Sequence, residues 1–146
     1  MATYTTSDML AAGMSVSTDR PAVQGPFTIE WIIDGSKKTI AANDIVNLLD
    51  IPTYCAVIIQ AASCTTLTAG TASGAPEVGI AGTAVTGLTG FDSATAGARA
   101  AKLATAANTV ATTSSTSAIT YKQLTAALGS GKLRLRVTGV ICPSYS

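Results

Sequence analysis

The stretch "NDIVNLLDIPTYCAVIIQ" (43–60) restricts the folds open to this chain more than any other. It is an apolar run cut in the middle by Pro52. Proline has no amide to donate, clashes with the preceding turn of a helix, and pushes the residue before it, Ile51, toward the extended region. The run on either side is short and β-branched, so it reads as two strands, Ile45–Ile51 and Tyr54–Ala62. Val57-Ile58-Ile59 is apolar at successive positions, as in a strand covered on both faces. Pro52-Thr53 leaves almost no loop between the two strands. A connection that tight implies a sharp corner in a sheet protein.

Other segments carry the same grammar. In "FTIEWII" (27–33), Phe27, Ile29, Trp31 and Ile33 share one face, and Asp34-Gly35 then signals a turn. "KKTIAA" (37–42) reads as a short edge strand whose lysines discourage stray pairing. "AITYKQL" (118–124) alternates, and "AALGSG" connects it to "KLRLRVTGVIC" (132–142). There Leu133, Leu135, Val137 and Ile141 point one way and Arg134, Arg136 and Thr138 the other. Between these, glycines cut "PEVGIAGTAVTGLTGF" into pieces of strand length. "ATAGARAAKLATAA" (94–107) has one large apolar residue, Leu103, and reads as loop and short strand, with a helical turn near 98–107 as the alternative. "TTSSTS" (112–117) is a polar loop. Roughly eight short strands at this spacing mean an all-β fold, an antiparallel β-sandwich over residues 26–146, rather than a parallel α/β fold.

Residues 1–25 differ from the rest and read as an extended N-terminal arm with a short helix at 7–13, where Ser7 is the N-cap, Asp8 sits at the positive end of the dipole and Gly13 is the stop. Pro21 and Pro26 mark the extended part. Tyr4, Met9, Leu10 and Met14 are the arm's large apolar groups. A free arm would leave them wet. Either they tuck onto their own domain or they reach a neighbouring subunit, which makes these four the candidate subunit contacts.

Chemistry is sparse. The chain has no histidine, which removes the commonest general base, the Ser-His-Asp and Cys-His pairings and most zinc sites. The three cysteines, Cys55, Cys64 and Cys142, have no ligand spacing and read as buried, unpaired thiols. In one regular strand Cys55 and Cys64 would point to opposite faces. Glu30 and Glu77 are the only glutamates for a glycosidase pair, with six aspartates besides, and Glu30 reads more simply as the wet face of its strand, opposite Arg134 or Arg136. "GSGK" (129–132) is not a phosphate loop, because Ala126 and Leu133 stand where glycine and a hydroxyl are needed. A net charge of +1 with no basic stripe gives nucleic-acid binding little support. No apolar run of about 18 residues occurs, so no membrane helix is expected. "MATYTTSDMLAAGM" has no lysine or arginine, as a signal peptide would require, so synthesis in the cytoplasm is expected. No enzyme activity, cofactor, metal or small-molecule substrate is expected.

The layout "FTIEWIID … ANDIVNLLDIPTYCAVIIQAASCTT … GKLRLRVTGVIC" resembles the decoration, or cement, proteins of tailed-phage heads. The likeness lies in Asn43-Asp44, Asp50-Ile51-Pro52, Val57–Ile59 and Gly131-Lys132…Arg136, in that order and spacing; residues 63–118 match only in style and the arm not at all. The resemblance implies a jelly-roll-like antiparallel β-sandwich and a virion structural protein on the capsid exterior, with the major capsid protein and itself, as a homotrimer, for partners, and it makes Tyr4, Met9, Leu10 and Met14 candidate capsid contacts as well as subunit contacts. The competing expectation is a carbohydrate-binding module or fibre tip, for which aromatics at 5% and a single Trp are a poor supply.

Overall fold

The computed structural model describes residues 2–19, 25–51, 55–70, 75–80, 83–87, 97, 99–103, 109–111, 117–124 and 126–143. Its elements run β1 (Thr3–Tyr4), α1 (Thr6–Ala11), β2 (Ser15–Asp19), β3 (Gly25–Asp34), β4 (Ile45–Ile51), β5 (Cys55–Thr68), β6 (Pro76–Ile80), β7 (Thr83–Gly87), β8 (Arg99–Leu103), β9 (Thr109–Ala111), β10 (Ser117–Gln123) and β11 (Lys132–Pro143). One sheet has the order β1-β4-β10-β6-β7 and the other β2-β3-β11-β5-β8, with β9 also pairing β5. Setting aside β1, β2 and β9, the chain changes sheet at every connection except β6 to β7. That is the order of a jelly roll, two four-stranded sheets wrapped face to face. All pairings are antiparallel except β1 with β4.

The corner expected at Pro52 carries the chain from one sheet to the other, since β4 and β5 belong to different sheets; residues 52–54 themselves lie outside the described residues. The inward faces follow the alternation of the sequence. Phe27, Ile29, Trp31 and Ile33 of β3 meet Leu133, Leu135, Val137 and Ile141 of β11, all buried, and Val46, Leu48, Ile119, Tyr121, Val78 and Ile80 face them from the opposite sheet. Trp31 is 1% exposed. Burying a side chain of its size contributes roughly 4–6 kcal/mol before entropy is subtracted. Its Nε1 donates to the Leu48 carbonyl at 2.9 Å, across the sandwich. That carbonyl is available for a physical reason: Leu48 is the extra residue of a bulge in β4, with no partner on β10 between Asn47 and Leu49.

Bulges also explain β5. Its pairing with β11 passes from Ala61 to Ile59 and from Thr68 to Thr66, leaving Gln60 and Leu67 as extra residues. Each bulge turns the alternation over. Val57 and Ile59 face the core before Gln60, and Ala62, Cys64 and Thr66 face it afterwards. Cys55 therefore packs against the same interior as Cys64, where a regular strand would have separated them. The strand also runs well past Ala62, to Thr68.

Two further expectations are corrected, and the reading of 94–107 as loop and short strand holds at Arg99–Leu103. The N-cap of α1 is Thr5, not Ser7: its hydroxyl accepts from the Asp8 amide and Asp8 accepts from the Thr5 amide, a reciprocal capping box. Gly13, at φ 89°, ends the helical segment as expected. Residues 37–42 form a turn and coil rather than an edge strand, because Asp34 gathers their amides. Its carboxylate takes the Ser36 amide and hydroxyl, and its carbonyl takes the amides of Lys37 and Lys38. Arg99–Leu103, the region of the alternative helical turn, is strand. The 112–116 part of the expected polar loop lies outside the described residues.

One end of the sandwich is sealed by the loops before β4 and β11. Leu128 donates its amide to the Ile40 carbonyl, and both side chains are fully buried. Gly35 lies so close to this junction that a Cβ would overlap the Gly129 carbonyl oxygen at 1.8 Å.

Candidate interaction surfaces

The N-terminal segment is built into the sandwich. β1 extends the first sheet beyond β4 and β2 extends the second beyond β3, so α1 bridges the gap between the two sheet edges. Met9 is fully buried and Met14 is 5% exposed, both within the single hydrophobic core. Tyr4 packs half-buried against that core, with the Lys38 ammonium 4.5 Å from its ring centroid. Leu10 is 49% exposed. Of the four candidate contacts, Met9 and Met14 thus fill their own domain, Tyr4 is partly occupied, and Leu10 alone presents a free apolar surface. The sequence could not separate them because a six-residue helix shows too few turns to define its buried stripe.

Asp44 holds this segment in place. Its carboxylate accepts the Ala2 amide at 2.8 Å, the Ala41 amide at 3.0 Å and the Tyr4 hydroxyl at 3.2 Å. Burial alone would raise its pKa, but these donors hold it below the usual carboxylate value. Asn43 beside it takes φ 69°, a left-handed turn that asparagine tolerates better than most residues. Asp34, at the end of β3, is likewise held low against the effect of burial by the Ser36 amide and hydroxyl and by Lys132 at 3.8 Å. Both carboxylates are engaged structurally.

The two glutamates lie on opposite sides of the molecule. Glu30 faces outward from the second sheet and Glu77 outward from the first, since the neighbouring Ile29, Trp31 and Val78 face in. The sandwich separates them, so the two glutamates make no glycosidase pair. Among the described residues no group of three or more His, Cys, Asp or Glu is placed to hold a metal. Burial pushes the Cys64 thiol up to about 12, which leaves it protonated and inert. The Cys142 side chain lies outside the described residues. Tyr121 donates to Gln123 Oε1 within the core, where both side chains are fully buried and Gln123 Nε2 has no partner among the described residues. Gly129–Ser130–Gly131 is a turn leading into a strand, as its departure from the phosphate-loop pattern implies.

What the structure adds is a broad outer face on the second sheet. Glu30 on β3 sits between Arg134 Nε at 3.6 Å and Arg136 Nε at 3.5 Å on β11, the pairing expected from the sequence. Ser63 and Thr65 of β5 lie opposite Arg136 and Arg134, and exposed Arg99 of β8 lies opposite Thr65. Arg99 was invisible as a member of this face because its alanine-rich surroundings carry no alternation to fix its side.

No protein-family model matches the chain, and no curated protein does. Solved structures with a similar course of chain include one from the acid-stable capsid of Helicobacter pylori bacteriophage KHP30, at 14% identity and TM-score 0.44, covering 90% of this chain and 100% of that one. A chain of the cyanophage Pam1 capsid asymmetric unit is 20% identical with TM-score 0.46, covering 87% and 85%. One from the capsid of Ralstonia phage GP4 is 14% identical with TM-score 0.49, covering 89% and 92%. The jelly-roll assignment above rests on strand order and pairing alone.

Proposed function

We propose that this chain is a virion structural protein of a tailed phage, a decoration or cement protein that binds the outer surface of the assembled head and stabilises it. The observation that carries the reading is where the segments of the sequence resemblance fall. Asn43-Asp44 forms the anchor of the N-terminal segment, and Asp50-Ile51 leads into the crossing between sheets. Lys132 to Arg136 belongs to β11, between β3 and β5. The motifs fall on the frame of a jelly roll, which supports reading their order and spacing as a fold signature.

A protein that binds the assembled shell and not the free subunit stabilises the shell by mass action. Each copy contributes modest contact, and a symmetric trimer touching several shell subunits multiplies it through effective concentration. The carbohydrate-binding alternative loses support from the aromatic residues. Trp31, Phe27 and Tyr121 are buried, and Tyr4 is half-buried beneath Lys38. No described aromatic offers the open ring face that sugar stacking needs.

The test is sedimentation of phage heads stripped of this protein, with and without the purified chain, beside sedimentation equilibrium of the chain alone. The reading expects saturable cosedimentation, a rise in head melting temperature and a trimer mass. A chain that never pellets with heads would refute it.

A further inference from the structure

On the outer face of the second sheet, Ser63 and Thr65 of β5 lie among the arginines of β8 and β11, with Glu30 of β3 beyond them. Arg99 and Arg134 lie on strands that flank β5, each paired opposite Thr65. At the usual strand spacing their Cα atoms are roughly 10 Å apart, and Arg134 and Arg136 are roughly 7 Å apart along one strand. Glu30 engages the Nε side of both β11 arginines. The Arg134 and Arg136 side chains stay 51% and 58% exposed beside Glu30, and Arg99 is exposed. A guanidinium offers five N–H donors in a planar fork, so three such forks here stand ready for planar acceptors.

We propose that this face is the docking surface for a protein surface bearing Asp and Glu carboxylates, supplied by the shell that this chain coats. The inference rests on the shell-binding reading and names the face and the chemistry it uses. Three arguments favour a carboxylate-bearing protein. Five strands and about ten residues of strand length give a face of roughly 600–800 Å², close to one side of a standard protein interface. Ser63, Thr65 and their small neighbours let a partner approach the sheet closely and lose little side-chain freedom on contact. Glu30, set among the arginines, works against a polyphosphate while it orients the forks for discrete carboxylates. The same charge pattern makes the contact salt-sensitive.

The experiment compares the wild-type chain with the triple variant R99E/R134E/R136E in cosedimentation with stripped heads at 50 and 300 mM NaCl. All three positions are exposed, but R134E and R136E set like charges beside Glu30 and should lower the melting temperature somewhat, so R99Q/R134Q/R136Q is measured in parallel, with a melting curve showing each variant folded at the assay temperature. The expected result is at least a tenfold loss of head affinity for the variant, and a wild-type affinity that falls several-fold between the two salt concentrations. Wild-type binding with an unchanged variant would overturn this inference and leave the shell reading intact. Absence of binding by the wild type would overturn both. If the substitutions instead abolish binding to a duplex DNA probe, or change the chain's own oligomer mass without changing head binding, the face serves another occupant and the proposal is wrong.

Discussion

Replacing Met9 by alanine should destabilise the whole sandwich, while the same change one residue later, at Leu10, should barely register. Met9 is fully buried between the sheet edges and Leu10 is 49% exposed. Met-to-Ala changes in cores cost about 2–5 kcal/mol, the spread reflecting how far the surroundings collapse into the cavity. Met9 stands on a six-residue helix joined to short strands, which can relax inward, so about 2–3 kcal/mol is expected here. For a domain of this size each kcal/mol lowers the melting temperature by about 2–4 °C, giving a drop of about 5–10 °C. Leu10→Ala removes little buried area and should cost under about 0.5 kcal/mol. Circular dichroism melts and urea titrations measure both. Equal effects of the two variants, or a Met9→Ala melt within a degree of wild type, would mean that α1 is a detachable arm outside the cooperative unit, and the argument from burial would fail.

Asp44→Ala strips the acceptor from two amides and the Tyr4 hydroxyl, and should cost about 2–4 kcal/mol, with faster amide exchange at Ala41. The folded state lowers the pKa of Asp34 and Asp44, so their contribution is whole above about pH 4 and lost as pH falls through the folded values. The melting temperature should therefore hold steady from pH 5 to 7 and drop below pH 4; a protein equally stable at pH 3 would contradict both assignments. Native protein treated with iodoacetamide at pH 8 should leave Cys64 unmodified until denaturant is added, since its thiol is buried with a pKa raised to about 12. Peptide mass mapping that finds Cys64 labelled under native conditions would show that the core opens there.

The sequence is most legible where alternation is unbroken and a side chain of unmistakable size marks the buried face. β3, with Trp31 among isoleucines, and β11, with leucines between arginines, declare their faces at once. Pro52 declares the corner. What stayed hidden depends on contacts between distant residues. The bulge at Gln60 that brings Cys55 and Cys64 to one side exists because β11 pairs across it, and nothing local announces that. Residues 37–42 look like a strand until the Asp34 carbonyl takes the amides of Lys37 and Lys38 and its carboxylate that of Ser36 just before them. The arm looked separable because β1 and β2 are short and their partners, β4 and β3, lie further along the chain. The arginine face needed β8 placed beside β5, and glycine- and alanine-rich sequence around Arg99 carries no such address.

The position of β11 also sets a timetable for synthesis. This strand lies between β3 and β5, yet is made after both, and its Lys132 pairs with Asp34 about a hundred positions earlier. At about 5–20 residues per second, β3 emerges from the ribosome on the order of 5–20 s before its partner exists. During that interval the edges of β3 and β5 that will receive β11 stand open, and each is a template for pairing with another nascent chain. Closure of the second sheet is therefore a late step. Truncation within β11 should leave a chain that aggregates rather than a smaller folded one.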